Sequence, residues 1–233
     1  MDLTYRPLLR SRGADRCLSL LVVLILLDVS VLEPLVATGF LHRHLHEFSV
    51  ALFVGLGAAA VWTHLAAARV LAVLAIALAL VRVANFWIPD TTLRFWDASL
   101  YLAAVLVLGL LVSRQVFAST GRMNWHRVIG AVAIWLLAGG AFTQAYRLVA
   151  MHVPTAFLVQ GAPAGYDAIV GSLQYFSLVT LATVGYGDIV PVHPVARGLA
   201  NLEAVLGVMY PVVVISWLVS LEVEAGRSTD REM

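Results

Sequence analysis

Six residues, Thr183-Val184-Gly185-Tyr186-Gly187-Asp188, lie between two long apolar stretches, and the chemistry they offer is that of the backbone. Gly185 and Gly187 can take dihedral angles forbidden to L-residues, which allows successive carbonyls to point the same way. A row of such carbonyls along a narrow axis can replace the hydration shell of a bare cation. In that geometry Val184 and Tyr186 point away from the axis as packing wedges. Thr183 offers both its carbonyl and its hydroxyl at the inner end, while Asp188 caps the outer end and should bond behind the run.

Elsewhere the reactive side chains are scattered. No nucleophile, base and oxyanion donor group together, so no enzymatic activity is expected. His42, His44, His46 and Glu47 could bind Zn²⁺ or sense protons, although alternate spacing in a loop does not by itself converge them. His152 and His193 lie nearer the six-residue run and could tune it with pH. The single Cys17 excludes an intrachain disulfide and is too isolated to form a metal site. Asp28 and Arg82 each lie deep within an apolar run, where an unpaired charge costs several kcal/mol. At 1.5 Å per residue both fall about 17–18 Å from the inner ends of their helices. An ion pair between them is expected, with a water-filled crevice or a voltage-sensing charge as alternatives, and Glu33 and Asn85 as extensions one turn further out.

The elements that must position these groups are membrane helices. Hydrophobic residues make up 61% of the 233 and charged residues 12%, and the mean hydropathy of +0.90 lies beyond any ordinary soluble domain. The formal charge of +1 is spread over loops and ends, which leaves no basic face for nucleic acid. All 15 basic side chains are arginine, a composition that suggests a GC-rich bacterial genome. A spanning helix needs about 20 mostly apolar residues. Stretches 17–37, 48–68, 70–88, 97–117, 127–150 and 195–223 qualify. The first follows Arg6, Arg10, Arg12 and Arg16 as a secretory signal would, but it runs past signal length without a small-residue cleavage site, so a retained helix is expected.

Those arginines fall on one side with Arg69, Arg114, Arg122, Arg127, Arg227 and Arg231, against Arg43 and Arg94 on the other. This places both termini in the cytoplasm and the six-residue run outside. The expected organisation is a cytoplasmic segment 1–16, a four-helix membrane domain 17–117, a second membrane domain 127–223 and a short cytoplasmic tail 224–233. Between the last two stretches, Met151 to Gly165 reads as a loop punctuated by Pro154, Gly161, Pro163 and Gly165. A helix over 167–181, too short to span, should follow. Such a re-entrant segment is tolerated at membrane depth only where protein or water surrounds it. Its C-terminal end would aim partial negative charge at the axis, favouring a cation. The six-residue run occurs once and a closed ring of carbonyls needs four, so a homotetramer with cyclic symmetry follows.

From Tyr175 to Leu221 the chain resembles the pore module of tetrameric potassium channels, and it is similar above all to small bacterial members. The resemblance rests on Thr183 to Asp188, TVGYGD, which matches that family's selectivity-filter signature. It rests also on Tyr175-Phe176-Ser177-Leu178-Val179-Thr180-Leu181-Ala182, which is similar to the pore helix, and on Pro191, Arg197 and Gly207 at the family's spacing. What it implies is an all-α membrane protein with six transmembrane helices. A re-entrant pore helix and filter lie between the fifth and sixth, and four copies conduct K⁺ passively across the cell membrane, surrounded by lipid. By the same resemblance K⁺ is held at Thr183, Val184, Gly185 and Tyr186, Gly187 completes the filter, and no cofactor beyond the permeant ion is implied. Tyr175, Thr180 and Asp188 are the expected filter supports. Some bacterial members carry a Glu at the position of Val179 that pairs with the filter aspartate; here Tyr175 is the candidate donor to Asp188. Voltage-gated relatives have an Arg at every third position of the fourth helix, whereas Ala98 to Val112 contains no charge, so steep voltage dependence is not expected.

In the sixth stretch Pro211 removes the hydrogen bond to the Gly207 carbonyl and clashes with it, so both residues weaken one turn. The result is a gating hinge or a static kink that shapes the cavity. Val208, Pro211, Val212, Ile215, Ser216 and Val219 recur at helical spacing and by resemblance face the pore. Glu222 continues the stripe, either as an anionic ring at the inner mouth or as a solvated helix end. Glu203 is expected to bond behind the pore helix. Two other functions stand beside a K⁺ channel. A non-conducting subunit or sensor would have no physical need for two glycines and a tyrosine in this order. A K⁺-uptake transporter subunit would be expected to carry four degenerate filters in one chain.

Overall fold

The computed structural model describes residues 12–32, 34–35, 38, 40, 65–88, 90–117 and 125–232. Helix α1, Arg12–Leu27, widens into a π-helical turn at Asp28–Leu32 just ahead of Pro34. The described apolar part, Ser19–Leu32, lies within the stretch 17–37 read from the sequence, and Pro34 and Leu35 beyond it are helical again. Helix α2, Leu65–Trp87, runs through Arg69, where the sequence predicts a break between 48–68 and 70–88. Leu65 to Val70 contains neither Gly nor Pro and is rich in strong helix formers, so nothing stops the helix there. The rest of the second stretch lies outside the described residues, as do Glu33, His42, Arg43, His44, His46 and Glu47.

Asp90 turns the chain at the outer end. Hydrogen bonds from Thr92 and Thr91 hold its carboxyl below the usual range, and its carbonyl accepts the Arg94 N–H at 3.1 Å. Helix α3, Thr91–Phe117, then crosses back and α4, Trp125–His152, crosses again. Helix α4 is the centre of the fold, packing against α1 and α3 on one side and, on the other, against α6 and α7, defined below.

The predicted loop after α4 is ordered. Strands β1, Phe157–Val159, and β2, Ala162–Ala164, form a hairpin, and β3, Ile189–Pro191, adds to the free edge of β1 to give the order β2-β1-β3. Phe157 pairs with Ala164 on one side and Pro191 on the other. Gln160 and Gly161 at the tip have φ of 50° and 82°, the two left-handed residues a type I′ turn requires. The single helix expected over 167–181 is two, α5, Tyr166–Ile169, and α6, Leu173–Leu181. Gly171, among the weakest helix formers, lies in the break. Helix α7, Pro194–Glu232, starts on a proline, whose missing N–H is harmless in the first turn, and continues beyond the expected end at 223.

Among the described residues four helices are long and apolar enough to cross a membrane: Arg69–Trp87, Thr91–Phe117, Arg127–His152 and Pro194–Val223. One apolar cluster joins α1 to α4 through residues such as Leu21, Leu78, Leu108 and Leu136. A second holds the sheet and α6 onto α4 through Tyr146, Phe157 and Phe176, whose ring centroids lie 5.0–5.8 Å apart in edge-to-face pairs. Each such pair adds about 0.5–1.5 kcal/mol beyond burial. Phe157→Ala should therefore lower stability in detergent by about 3–5 kcal/mol. A loss below about 1 kcal/mol in thermal unfolding would show that this cluster does not hold the sheet.

Candidate functional site

Helix α6 hands the chain over to the six-residue run with its last carbonyls already in use. The Thr183 N–H bonds the Thr180 carbonyl at 2.9 Å, and the Val179 carbonyl accepts from Val184 at 2.9 Å and Gly185 at 3.4 Å. Beyond this point the backbone is neither helix nor strand. Thr183, Gly185 and Gly187 have φ of 59°, 55° and 78°, whereas Val184 and Tyr186 between them are not left-handed. Alternating handedness turns successive peptide N–H groups to one side and carbonyls to the other. A Cβ on Gly185 or Gly187 would meet nothing within 4 Å, so glycine is required here for its dihedral angle and not for space. Positive φ at the β-branched Thr183 is an uncommon, strained state that persists only where the surroundings impose it.

The outer end is tied down on several sides. The Tyr175 and Tyr186 rings lie parallel with centroids 6.4 Å apart. The Asp188 carbonyl accepts the Gln160 N–H at 2.8 Å, which links the run to the hairpin tip. Arg197 Nε donates to the Pro191 carbonyl at 3.1 Å, fastening α7 to β3. Thr180 turns its hydroxyl back onto the Phe176 carbonyl at 2.8 Å, so it reaches the run through its backbone carbonyl.

Helix α7 passes unbroken through Pro211. Gly207 is buried, and a Cβ there would lie 2.0 Å from the Leu181 carbonyl oxygen and 2.8 Å from its carbon. Close approach of α7 to the end of α6 thus demands glycine. Sequence reasoning missed this requirement because the neighbour belongs to another helix. Val208, Val212, Ile215, Ser216, Val219 and Glu222 are all exposed along α7, and Pro211 is half-buried. The Ser216 hydroxyl is engaged with the Val212 carbonyl at 2.8 Å.

Glu203, one turn before Gly207, is wholly buried. Its Oε2 accepts from the Tyr146 hydroxyl of α4 at 2.6 Å and its Oε1 from the Ser177 hydroxyl of α6 at 2.5 Å. Ser177 Oγ also lies 2.8 Å from the Gly139 carbonyl, which accepts the Thr143 hydroxyl at the same distance.

A second polar group lies between α1, α2, α3 and α4. Arg82 Nε meets Asp97 Oδ1 at 2.7 Å, and its guanidinium stands 5.7 Å over the Tyr101 ring. The sequence reading paired Arg82 with Asp28 and overlooked Asp97. The signal was available: the two residues are 15 apart, roughly level on either side of the turn at Asp90. Asp28 is buried and lines a cavity with Tyr101, Gln144 and Gln174. Tyr101 feels the charges of Arg82, Asp28, Arg147 and Asp97. Asn85 does not extend this group through its Oδ1, which is buried without a hydrogen-bond partner. Near the start of α3, Arg94 bonds Asp167 of α5 at 2.8 Å and stands 5.8 Å over the Tyr166 ring. His152 packs edge-on against Phe95, its Nδ1 2.8 Å from the Leu148 carbonyl, and His193 Nδ1 accepts the Val195 N–H at 3.4 Å.

Residues 132–224 match the family described as ion channel. That span takes in most of α4, the sheet, α5, α6, the six-residue run and α7 as far as Glu224. With four helices of spanning length, the match marks a multi-pass membrane protein with an ion channel domain. The potassium voltage-gated channel protein shk-1 of Caenorhabditis elegans is 35% identical over 68 residues, which are 29% of this chain. The chain spans 13% of that relative's length. No solved structure matches the chain.

Gly207→Ala should push α7 off α6 and cost about 1–3 kcal/mol in thermal unfolding. Gly109→Ala, where a Cβ would meet nothing within 4 Å, should be tolerated; equal midpoints for the two variants would refute the close approach. Arg82→Gln or Asp97→Asn alone should cost up to about 3–5 kcal/mol, and the double change less than the sum, since neither charge is then left facing a missing partner in this pair. Strict additivity would show that the two side chains are uncoupled.

Proposed function

We propose that four copies of this chain form a K⁺-selective channel whose filter is Thr183 to Gly187. The observation that carries the reading is the left-handed φ at alternate residues of this run, immediately after the C-terminal end of a short helix. About a four-fold axis such a backbone would stack rings of carbonyls from Thr183, Val184, Gly185 and Tyr186, which replace the water of a dehydrated K⁺. The four α6 C-termini would add partial negative charge below them. Val184 and Tyr186, 51% and 71% exposed in the single chain, would be covered by neighbouring elements of the assembly. The exposed stripe from Val208 to Glu222 would line the inner cavity, with Gly207 and Pro211 as its point of bending. In this reading the membrane is crossed six times, with both termini cytoplasmic. The likeness to a relative named as a potassium channel supports K⁺ as the ion.

Conduction is passive and needs no cofactor or covalent step. Because Ala98 to Val112 of α3 contains no charge, conductance should vary little with voltage. Purified protein in planar bilayers tests the reading. The reversal potential should follow the K⁺ gradient and disregard Na⁺, and Tyr186→Asp should abolish that preference by replacing the outer carbonyl rings with a hydrated vestibule. A wild-type reversal potential indifferent to K⁺ would overturn it.

A further inference from the structure

Glu203 is buried in an apolar helix, and nothing in passive conduction calls for a carboxyl there. Its two oxygens take hydrogen bonds from two other elements, Tyr146 of α4 and Ser177 of α6. In a buried setting, leaving such a polar group without its partners is costly, so the two bonds hold their elements in place. Ser177 also reaches the Gly139 carbonyl, so one carboxyl fastens α4, α6 and α7 at a single point. Ser177 lies in the same nine-residue helix as Val179 and Thr180, whose carbonyls hold the N–H groups of Thr183, Val184 and Gly185. One turn along α7 from Glu203, Gly207 presses its Cα against the carbonyl of Leu181, the last residue of α6. The strained run therefore hangs from a helix that α7 grips twice, by the Ser177 hydrogen bond and by backbone contact.

We infer that Glu203 is a positioning residue of the filter: through Ser177 it fixes α6 against α7 and so sets how long Thr183 to Gly187 stays in its conducting shape. The inference rests on the channel reading above. It assigns to α7 a second task beside lining the cavity, since any displacement of α7 near Glu203 reaches the filter through α6 and not only through a constriction lower down.

Single-channel recording of wild type and variants, alongside thermal midpoints in detergent with K⁺ or Na⁺, tests it. Glu203→Ala should shorten open bursts at least about tenfold, the effect of losing one buried hydrogen bond. It should also remove the extra thermal protection that K⁺ gives over Na⁺. Glu203→Gln keeps an acceptor and the shape of the side chain and should restore bursts to within about threefold of wild type. Ser177→Ala should act in the same direction as Glu203→Ala, and the double variant should be no worse than Glu203→Ala alone. Wild-type bursts in Glu203→Ala, or a lower midpoint with unchanged bursts, would overturn the inference and leave the channel reading intact. If Glu203→Ala yields no folded protein, Ser177→Ala and Tyr146→Phe each delete a single oxygen, and wild-type bursts in both would overturn it equally. A wild type without K⁺-selective current would overturn both readings.

Discussion

A backbone that alternates left- and right-handed residues forms no repeating hydrogen-bond ladder, so its shape must be imposed by what surrounds it. Thr183 to Gly187 meets this constraint, and much of the rest of the chain can be understood as the imposition. One end is held by carbonyls of α6 and the other by the hairpin tip. Strand β3 carries the chain away in fixed register with β1. A segment so constrained can keep a β-branched residue at positive φ, a state that would relax if any of these partners moved freely.

Helix α4 makes the imposition possible because it serves two polar groups with one short segment. Gly139 offers its carbonyl to Ser177, while Gln144 lines the cavity that Asp28 and Tyr101 share. Small residues in this segment admit α6 closely: a Cβ on Gly139 would come within 3.1 Å of the Leu178 side chain. In an apolar setting each buried polar group must find its partner inside the protein, and the partners found here are on different helices. Polar satisfaction thus does the orienting that non-directional apolar packing cannot.

The parts of this architecture legible in the sequence were those written in local composition. Helices of spanning length follow from apolar run length, and the backbone chemistry of the run follows from two glycines at alternate positions. The break at Gly171 was hidden because one glycine among good helix formers shifts the balance by only about 1 kcal/mol. Strands of three residues are too short for alternation to register. Gly207 carries a second demand beside its place at the expected hinge: the Leu181 carbonyl lies where a Cβ would go, which no local pattern can display. Asp97 as a partner of Arg82 was hidden for the same reason, since depth matching admits several acids and only the hairpin geometry around Asp90 brings Asp97 level.

The Arg94 and Asp167 bridge differs in kind from the inner ties. Its side chains are 29% and 79% exposed, and exposed pairs of this sort contribute about 0–1 kcal/mol. Mobile ions screen charges over about 8 Å at physiological salt. The outer end of α3 is therefore joined to α5 by a contact that tightens in dilute medium and slackens in brine, whereas the hydrogen bonds at Glu203 are shielded from the bath. A change in ionic strength would thus alter the grip between α3 and the short helix α5 while leaving the framework at Glu203 as it was.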